Sequence, residues 1–269
     1  MGQDDGVPGD SPVGVRALVR RPGSRLPEGL LTHFERTEVD VDLATQQWNA
    51  YVDALKRNGW ETIEVPPADD CPDAVFVEDT IVMFSGLAVI SLPGAPSRQP
   101  ETAAVDETIG GLGYEIARIE PPGTLDGGDA LKVGNTVYVG LGGRTNSAGI
   151  AQLASHLEPR GATVVPVPVT KVLHLKSAVT ALPDGTIVGW PDAVDDPAVF
   201  PKYLATPEES GAHVVLLGDD RLLMAADCPL SAAMYREMGY QPVEVDIGEF
   251  QKLEGCVTCL SVRLRISPR

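Results

Sequence analysis

A closed ring of α/β modules is the fold class that this sequence predicts. Three observations carry the prediction. Pairs of short β-branched runs, joined by turns containing Gly, Asn or Asp, recur four times along the chain. Helical stretches followed by single short strands separate these pairs, giving a strand–strand–helix–strand unit. One alternating run is left over at each end, over 15–20 and 258–266. If those two pair, the termini together build a fifth unit and close the ring.

Taken in order, the paired runs are 75–84 with 87–91, 129–133 with 136–140, 177–182 with 186–190, and 213–217 with 221–225. Their turns include Ser85-Gly86, Gly134-Asn135, Asp184-Gly185 and Gly218-Asp219, where positive φ is needed. Helices are predicted over 43–58, 101–112, 146–157 and 229–238. The first places Trp48, Tyr51, Val52 and Leu55 on one face and stops before Gly59. The second follows Pro100, and Asn146 is the expected N-cap of the third. Return strands follow at 61–65, 115–119, 163–167 and 241–245. An open parallel sheet would alternate strand and helix one for one; repeats of this kind favour a radial arrangement without exposed edges.

With 38 acidic against 21 basic residues among 269, the net charge is −17. That balance argues against nucleic-acid binding, which needs a basic face. No apolar stretch approaches the roughly 18 residues of a membrane span. Residues 1–13 read as a disordered leader without signal-peptide character, and 14–269 as a single catalytic domain. A cytoplasmic protein is expected, with its four cysteines reduced. Cys256 and Cys259 form one lone CxxC; without a second pair it is no zinc pattern, and without a surrounding βαβ unit it is a weak redox motif.

Side chains able to do chemistry recur near the module starts: Glu78 and Asp79, Asp126 and Asp129, His174, and Cys259. Asp126 lies 48 residues from both Glu78 and His174, and Cys259 a further 85 on, the span of two modules. In a ring such positions converge. Thiol, imidazole and carboxylate then form the nucleophile, base and orienting set of covalent catalysis, and extra carboxylates suit a planar cationic substrate. Each residue also has a plainer reading. A buried cysteine is often a small hydrophobe, which is the reading for Cys71 and Cys256. Asp126-Gly127 is a common turn pair. His33 falls in a loop and His156 on a helix face, while His213 shares a module start, so spacing alone does not exclude it.

Five motifs in register bear a family resemblance: Val75-Phe76-Val77-Glu78-Asp79, Leu125-Asp126-Gly127-Gly128-Asp129, Gly143-Arg144-Thr145-Asn146, Leu173-His174-Leu175-Lys176-Ser177 and Thr258-Cys259-Leu260-Ser261-Val262. Together they resemble the dimethylarginine dimethylaminohydrolase family, in the guanidino-modifying superfamily, from about 15 to 266. The resemblance implies a five-bladed α/β propeller. It also implies a hydrolase that converts Nω-methylated arginines (asymmetric dimethylarginine, monomethylarginine) to citrulline and methylamines through an S-alkylthiouronium on Cys259. By the same resemblance His174 is the general acid/base and Asp126 its carboxylate partner. Asp79, Glu78 and Asp73 bind the cationic substrate, Arg98 and Arg144 hold its carboxylate, and Leu253 offers a backbone carbonyl. The loop over 22–39 corresponds to a lid, with Leu30 or Leu31 touching substrate.

The implied partner is a small cationic amino acid, with no nucleic acid and no membrane, for a monomer or homodimer. No cofactor or metal is required; zinc held by Cys259 and His174 is expected to inhibit. Two alternatives remain at this level: an arginine deiminase-like hydrolase, for whose extra helical domain the length leaves little room, and a catalytically silent binder of arginine analogues.

Overall fold

A computed structural model of the chain describes residues 15–264. The leader expected at 1–13 and the end of the last alternating run lie outside the described residues. In chain order, β1 (Arg16–Val19) leads through α1 (Val41–Arg57) to β2 (Glu61–Glu64). Next come β3 (Ile81–Phe84), β4 (Leu87–Ile90), α2 (Thr102–Gly111) and β5 (Glu115–Arg118). They are followed by β6 (Ala130–Val133), β7 (Thr136–Leu141), α3 (Ser147–Leu157) and β8 (Thr163–Pro168). The third unit is β9 (Val179–Ala181), β10 (Ile187–Gly189) and β11 (Tyr203–Ala205). The fourth is β12 (Val215–Gly218), β13 (Arg221–Ala225), α4 (Pro229–Glu237) and β14 (Gln241–Val245); a short α5 (Gly248–Gln251) and β15 (Val262–Leu264) end the described chain.

These strands make five three-stranded sheets of one design. In each, the middle strand pairs antiparallel with one neighbour and parallel with the other. In four of the sheets a short turn joins the antiparallel pair; between β3 and β4 it is Ser85-Gly86, both at positive φ. The parallel pair needs a crossover, which a helix usually supplies. The fifth sheet joins the ends as expected: Arg16 pairs with Leu264 and Leu18 with Val262.

Local chemistry explains where the elements begin. The Asp40 carboxylate caps α1 by accepting from the Leu43 N–H at 2.9 Å, so the helix starts at Val41, two residues before the predicted Leu43. Asn146 caps α3 as expected, accepting from the Gly149 N–H at 2.8 Å. The third unit departs from the pattern. Between β10 and β11 the chain carries Pro191, Pro197 and Pro201, and only a single short turn (Pro197–Val199) forms. Proline lacks the N–H that a helix interior needs, so this crossover stays irregular.

A second departure matters more for function. The predicted strands starting at 75, 177 and 258 do not begin there; each first strand is preceded by a tight helical turn. These turns are Val77–Thr80, Gly127–Asp129, Leu175–Ser177 and Ser210–Ala212, with a non-strand turn through 257–260 before β15. The Thr80 hydroxyl stabilises the first by donating to the Val77 carbonyl at 2.7 Å.

Buried apolar side chains fill the spaces between neighbouring sheets. Leu18, Val262 and Leu264 pack with Ile81, Met83 and Ile90. Val82 and Val89 pack with Val137 and Val139, and Leu131 and Tyr138 with Val179 and Ile187. Leu182 and Val188 share a core with Val215, Leu223, Ala17 and Val19. No helix among the described residues is long and apolar enough to cross a membrane.

Candidate active site

The tight turns bring the predicted residues together. A narrow cavity is lined by Asp73, Asp79, Arg98, Arg144, His174 and Cys259, with Leu30 and Leu253 beside them. Two larger cavities lie elsewhere, one beside Lys132 and Arg160 and one beside His213 and Cys256, and neither contains the imidazole of His174. Asp79 comes from the turn before β3, His174 from the turn before β9 and Cys259 from the turn before β15. Asp126 sits just beneath, fully buried, at the turn before β6.

Carboxylates surround the imidazole. His174 Nε2 lies 2.9 Å from Asp126 Oδ2, and Nδ1 lies 3.7 Å from Asp79 Oδ1. Burial opposes the charge on His174, but Asp79, the hydrogen bond to Asp126, and Asp129 outweigh it and raise its pKa to about 9. At neutral pH the ring is therefore an imidazolium. Burial likewise disfavours the Asp79 carboxylate, yet His174, Arg98 and Lys176 overcome it and hold its pKa at about 2. Asp129 behaves oppositely: burial pushes it up to about 6, while Thr145 and the Leu175 N–H hold its oxygens at 2.6 and 2.9 Å. It orders the His174 turn from behind rather than facing the cavity.

Gly128 makes this approach possible. Its N–H donates to Asp79 Oδ1 at 3.0 Å, and a Cβ there would stand 2.5 Å from that oxygen and 2.8 Å from His174 Nδ1. The Asp-Gly-Gly-Asp motif is thus more than a turn pair.

Cys259 is held from several sides. Its carbonyl accepts from the Glu78 N–H at 3.2 Å. The Tyr51 hydroxyl on α1 donates to the Val257 carbonyl at 2.8 Å and meets Ser261 Oγ at 2.7 Å. Its thiol is pushed well up by the hydrogen bond with Cys256, by burial, and by Glu78 and Asp79. In the free protein the sulfur is therefore a thiol, and a cation placed beside it would favour the thiolate.

Two of the expected residues are engaged with protein partners. Glu78 does not line the cavity with Asp79: its Oε1 is held by Lys176 at 2.7 Å and Arg263 at 3.0 Å. Glu78 and Lys176 come from the turns before β3 and β9 and Arg263 from β15, so Glu78 ties three sheets together, which sequence spacing does not reveal. The two arginines also differ. Arg98 is buried and bound to Asp79 at 2.6 Å and Glu101 at 2.8 Å, with two backbone carbonyls besides. Arg144 has no hydrogen-bond partner for Nη1 and stands 4.0 Å from Asp126. Arg144, not Arg98, is the arginine with donors to offer.

The segment expected as a lid lies over the cavity. Asp73 accepts from the Leu30 N–H at 3.0 and 3.2 Å, and burial raises its pKa against Arg98 and that N–H. Glu254 Oε1 accepts from the N–H groups of Thr32, His33 and Phe34. Leu30 lines the cavity, while Leu31 packs on the neighbouring core. Sequence reasoning missed Glu254, Lys176 and Arg263; Lys176 and Glu254 are each within two residues of a predicted site residue, which was the available signal. Among the described residues, donor atoms of Asp79, Asp126 and His174 lie within 4.8 Å of one another.

Fold and site together define a class: an α/β protein of repeated modules in which a thiol and a carboxylate-bound imidazolium share one small acidic cavity. The arginine deiminase family model matches residues 69–214. The dimethylarginine dimethylaminohydrolase of Streptomyces coelicolor is 63% identical over 250 residues, covering 93% of this chain and 97% of the relative. The Pseudomonas aeruginosa enzyme of the same name is 35% identical, covering 91% and 98%. A mutant of that enzyme complexed with citrulline superposes with a TM-score of 0.86 at 34% identity, over 93% of this chain and 98% of that one. The chain belongs to the dimethylarginine dimethylaminohydrolase family.

Proposed function

We propose that this protein hydrolyses Nω-methylated arginines to citrulline and methylamines, with Cys259 as nucleophile, His174 as general acid/base and Asp126 as the carboxylate partner of His174. The observation that carries this reading is the shared cavity of Cys259, His174 and Asp79. Asp79, ionised throughout the neutral range, receives the guanidinium and aligns its central carbon with Sγ. Arg144 takes the substrate carboxylate, and the Leu253 carbonyl and Asp73 take the amino end under the lid.

The free thiol is held protonated, so substrate generates its own nucleophile: the bound cation offsets Glu78 and Asp79 and stabilises the thiolate, whose proton passes to solvent water. Sγ attacks the guanidinium carbon, and the imidazolium of His174 gives a proton to the departing methylamine. Neutral His174 then takes a proton from water, which attacks the thiouronium and releases citrulline and the thiol. No cofactor enters these steps. Zinc on Cys259 and His174 would block them, so a chelator should leave turnover unchanged and added zinc should compete with substrate.

The five sheets are read as blades of a propeller around this cavity, and 14–269 as one catalytic domain; the β1–β15 pairing and the cores between neighbouring sheets support that reading. Four free cysteines fit a reducing, cytoplasmic setting.

Citrulline formation from dimethylarginine, monomethylarginine and arginine, measured in parallel, tests the proposal. Turnover of the methylated pair with little from arginine is expected. A preference for arginine would move the protein to the deiminases, and silence with all three would leave a binding protein. Gly128→Ala should lower turnover roughly 100-fold by parting Asp79 from His174, since displacements near 1 Å cost that much.

The pH dependence follows from His174. Folding raises its pKa from 6.5 to about 9. The imidazolium thus contributes stability that is complete below about 6.5 and lost as pH climbs through 9, on the order of 3 kcal/mol. Thermal midpoints should fall across that window, and His174→Gln should flatten the curve. Unchanged curvature in the variant would assign the effect elsewhere.

A further inference from the structure

Cys256 plays no part in the mechanism, yet its sulfur lies 3.2 Å from that of Cys259. The Cys259 N–H donates to the Cys256 carbonyl at 3.1 Å, folding the four residues into one turn. The ends of such a turn lie within about 7 Å at Cα, the spacing that disulfides bridge. Closing the sulfurs to a bond length of about 2.05 Å needs only side-chain rotation. The sulfurs also face different spaces. Cys259 lines the substrate cavity, whereas Cys256 lines an adjoining cavity of about 580 Å³ beside His213 and Gln251, the two sharing Leu173, Glu254 and Gly255.

We propose that Cys256 is a peroxide-reactive cysteine resolved by Cys259, and that a hydroperoxide converts the Cys256–Cys259 pair to a disulfide that switches the enzyme off reversibly. Cys256 sulfur attacks the peroxide; an S–O bond forms, the O–O bond breaks, and the peroxide is reduced to an alcohol, or to water from hydrogen peroxide. Cys259 sulfur then displaces hydroxide from the sulfenic acid, forming the S–S bond and a second water. Two thiols are oxidised and one peroxide is reduced. Cys256 is suited to go first, because the hydrogen bond from Cys259 and the nearby His213 lower its pKa. With residue exposures of 4% and 6%, Cys256 and Cys259 exclude bulky oxidants and admit small ones. The loss of activity rests on Cys259 being the nucleophile; the disulfide itself does not.

Trypsin releases both thiols in one peptide, residues 253–263. After excess hydrogen peroxide, that peptide from the whole protein should lack two hydrogens and resist alkylation until reduced. Activity should fall in step and return with dithiothreitol. Cys256→Ser, compared with its own untreated activity, should be inactivated more slowly, and the Cys259 that excess peroxide does oxidise should carry added oxygen and recover less than about one tenth, because sulfinic acid is not reduced by thiols. Two alkylatable thiols, or oxygen adducts, in the inactivated wild-type peptide would overturn the proposal; so would equal recovery in the variant. The wild-type peptide decides even where the variant does not fold. A disulfide in a protein that never forms citrulline would keep the pair and reject the hydrolase reading.

Discussion

Cys259→Ser should abolish citrulline formation, by at least about 10⁴-fold in kcat, while the protein still folds and binds methylarginine. Loss of that order is usual when a covalent nucleophile is removed. The local electrostatics make it severe here. A serine hydroxyl ionises far less readily than a thiol, and the adjacent imidazole cannot help, because Asp79 and Asp126 keep it protonated. A serine hydrolase needs a neutral imidazole as base; this cavity supplies an imidazolium beside a thiol that a bound cation can ionise. The substitution removes one atom's worth of volume change from a packed turn, so thermal stability should shift little. Citrulline assay and calorimetric titration with dimethylarginine separate the two effects. Undiminished turnover would remove Cys259 from the nucleophile role.

Asp79→Asn is expected to be the second most damaging change, lowering kcat/KM by about 10³-fold or more. Three interactions meet at this carboxylate: Arg98 at 2.6 Å, the Gly128 N–H at 3.0 Å and the imidazolium at 3.7 Å. An amide of the same shape keeps the volume and removes the charge that receives the guanidinium. It also removes the first of the forces that raise the pKa of His174, which should drop toward 6.5. The alkaline limb of the rate profile should move down with it. Arg98 keeps Glu101 but loses one buried counter-charge; unpairing such an ion typically costs about 3 kcal/mol or more. Denaturant midpoints and a pH series of kcat/KM check both consequences. An unmoved alkaline limb would mean that Asp126 alone sets the imidazole.

The module repeat was legible because strands, turns and helices leave periodic signatures. The β1–β15 pairing could be anticipated from two leftover alternating runs. The missing helix between β10 and β11 was also written in the chain, as three prolines, but strand spacing alone passed over it. The tight turns at the module starts were not legible as such. Val75 to Phe84 is apolar and β-branched enough to read as one strand, and only the bonding of Thr80 to Val77 shows where it bends.

Sequence by itself determined how far apart the candidate side chains recur, and motif and resemblance singled out Asp79, Asp126, His174 and Cys259 among them. Tertiary structure decided what each one faces. It turned Glu78 toward Lys176 and Arg263, spent Arg98 on Asp79 and Glu101, left Arg144 open, and laid the segment from Leu30 to Phe34 across Asp73 and Glu254. Residue type and periodicity are properties of one stretch of chain. The pairing of charges depends on which of several nearby partners a packed interior brings within hydrogen-bonding distance, and that choice is made only when distant segments meet.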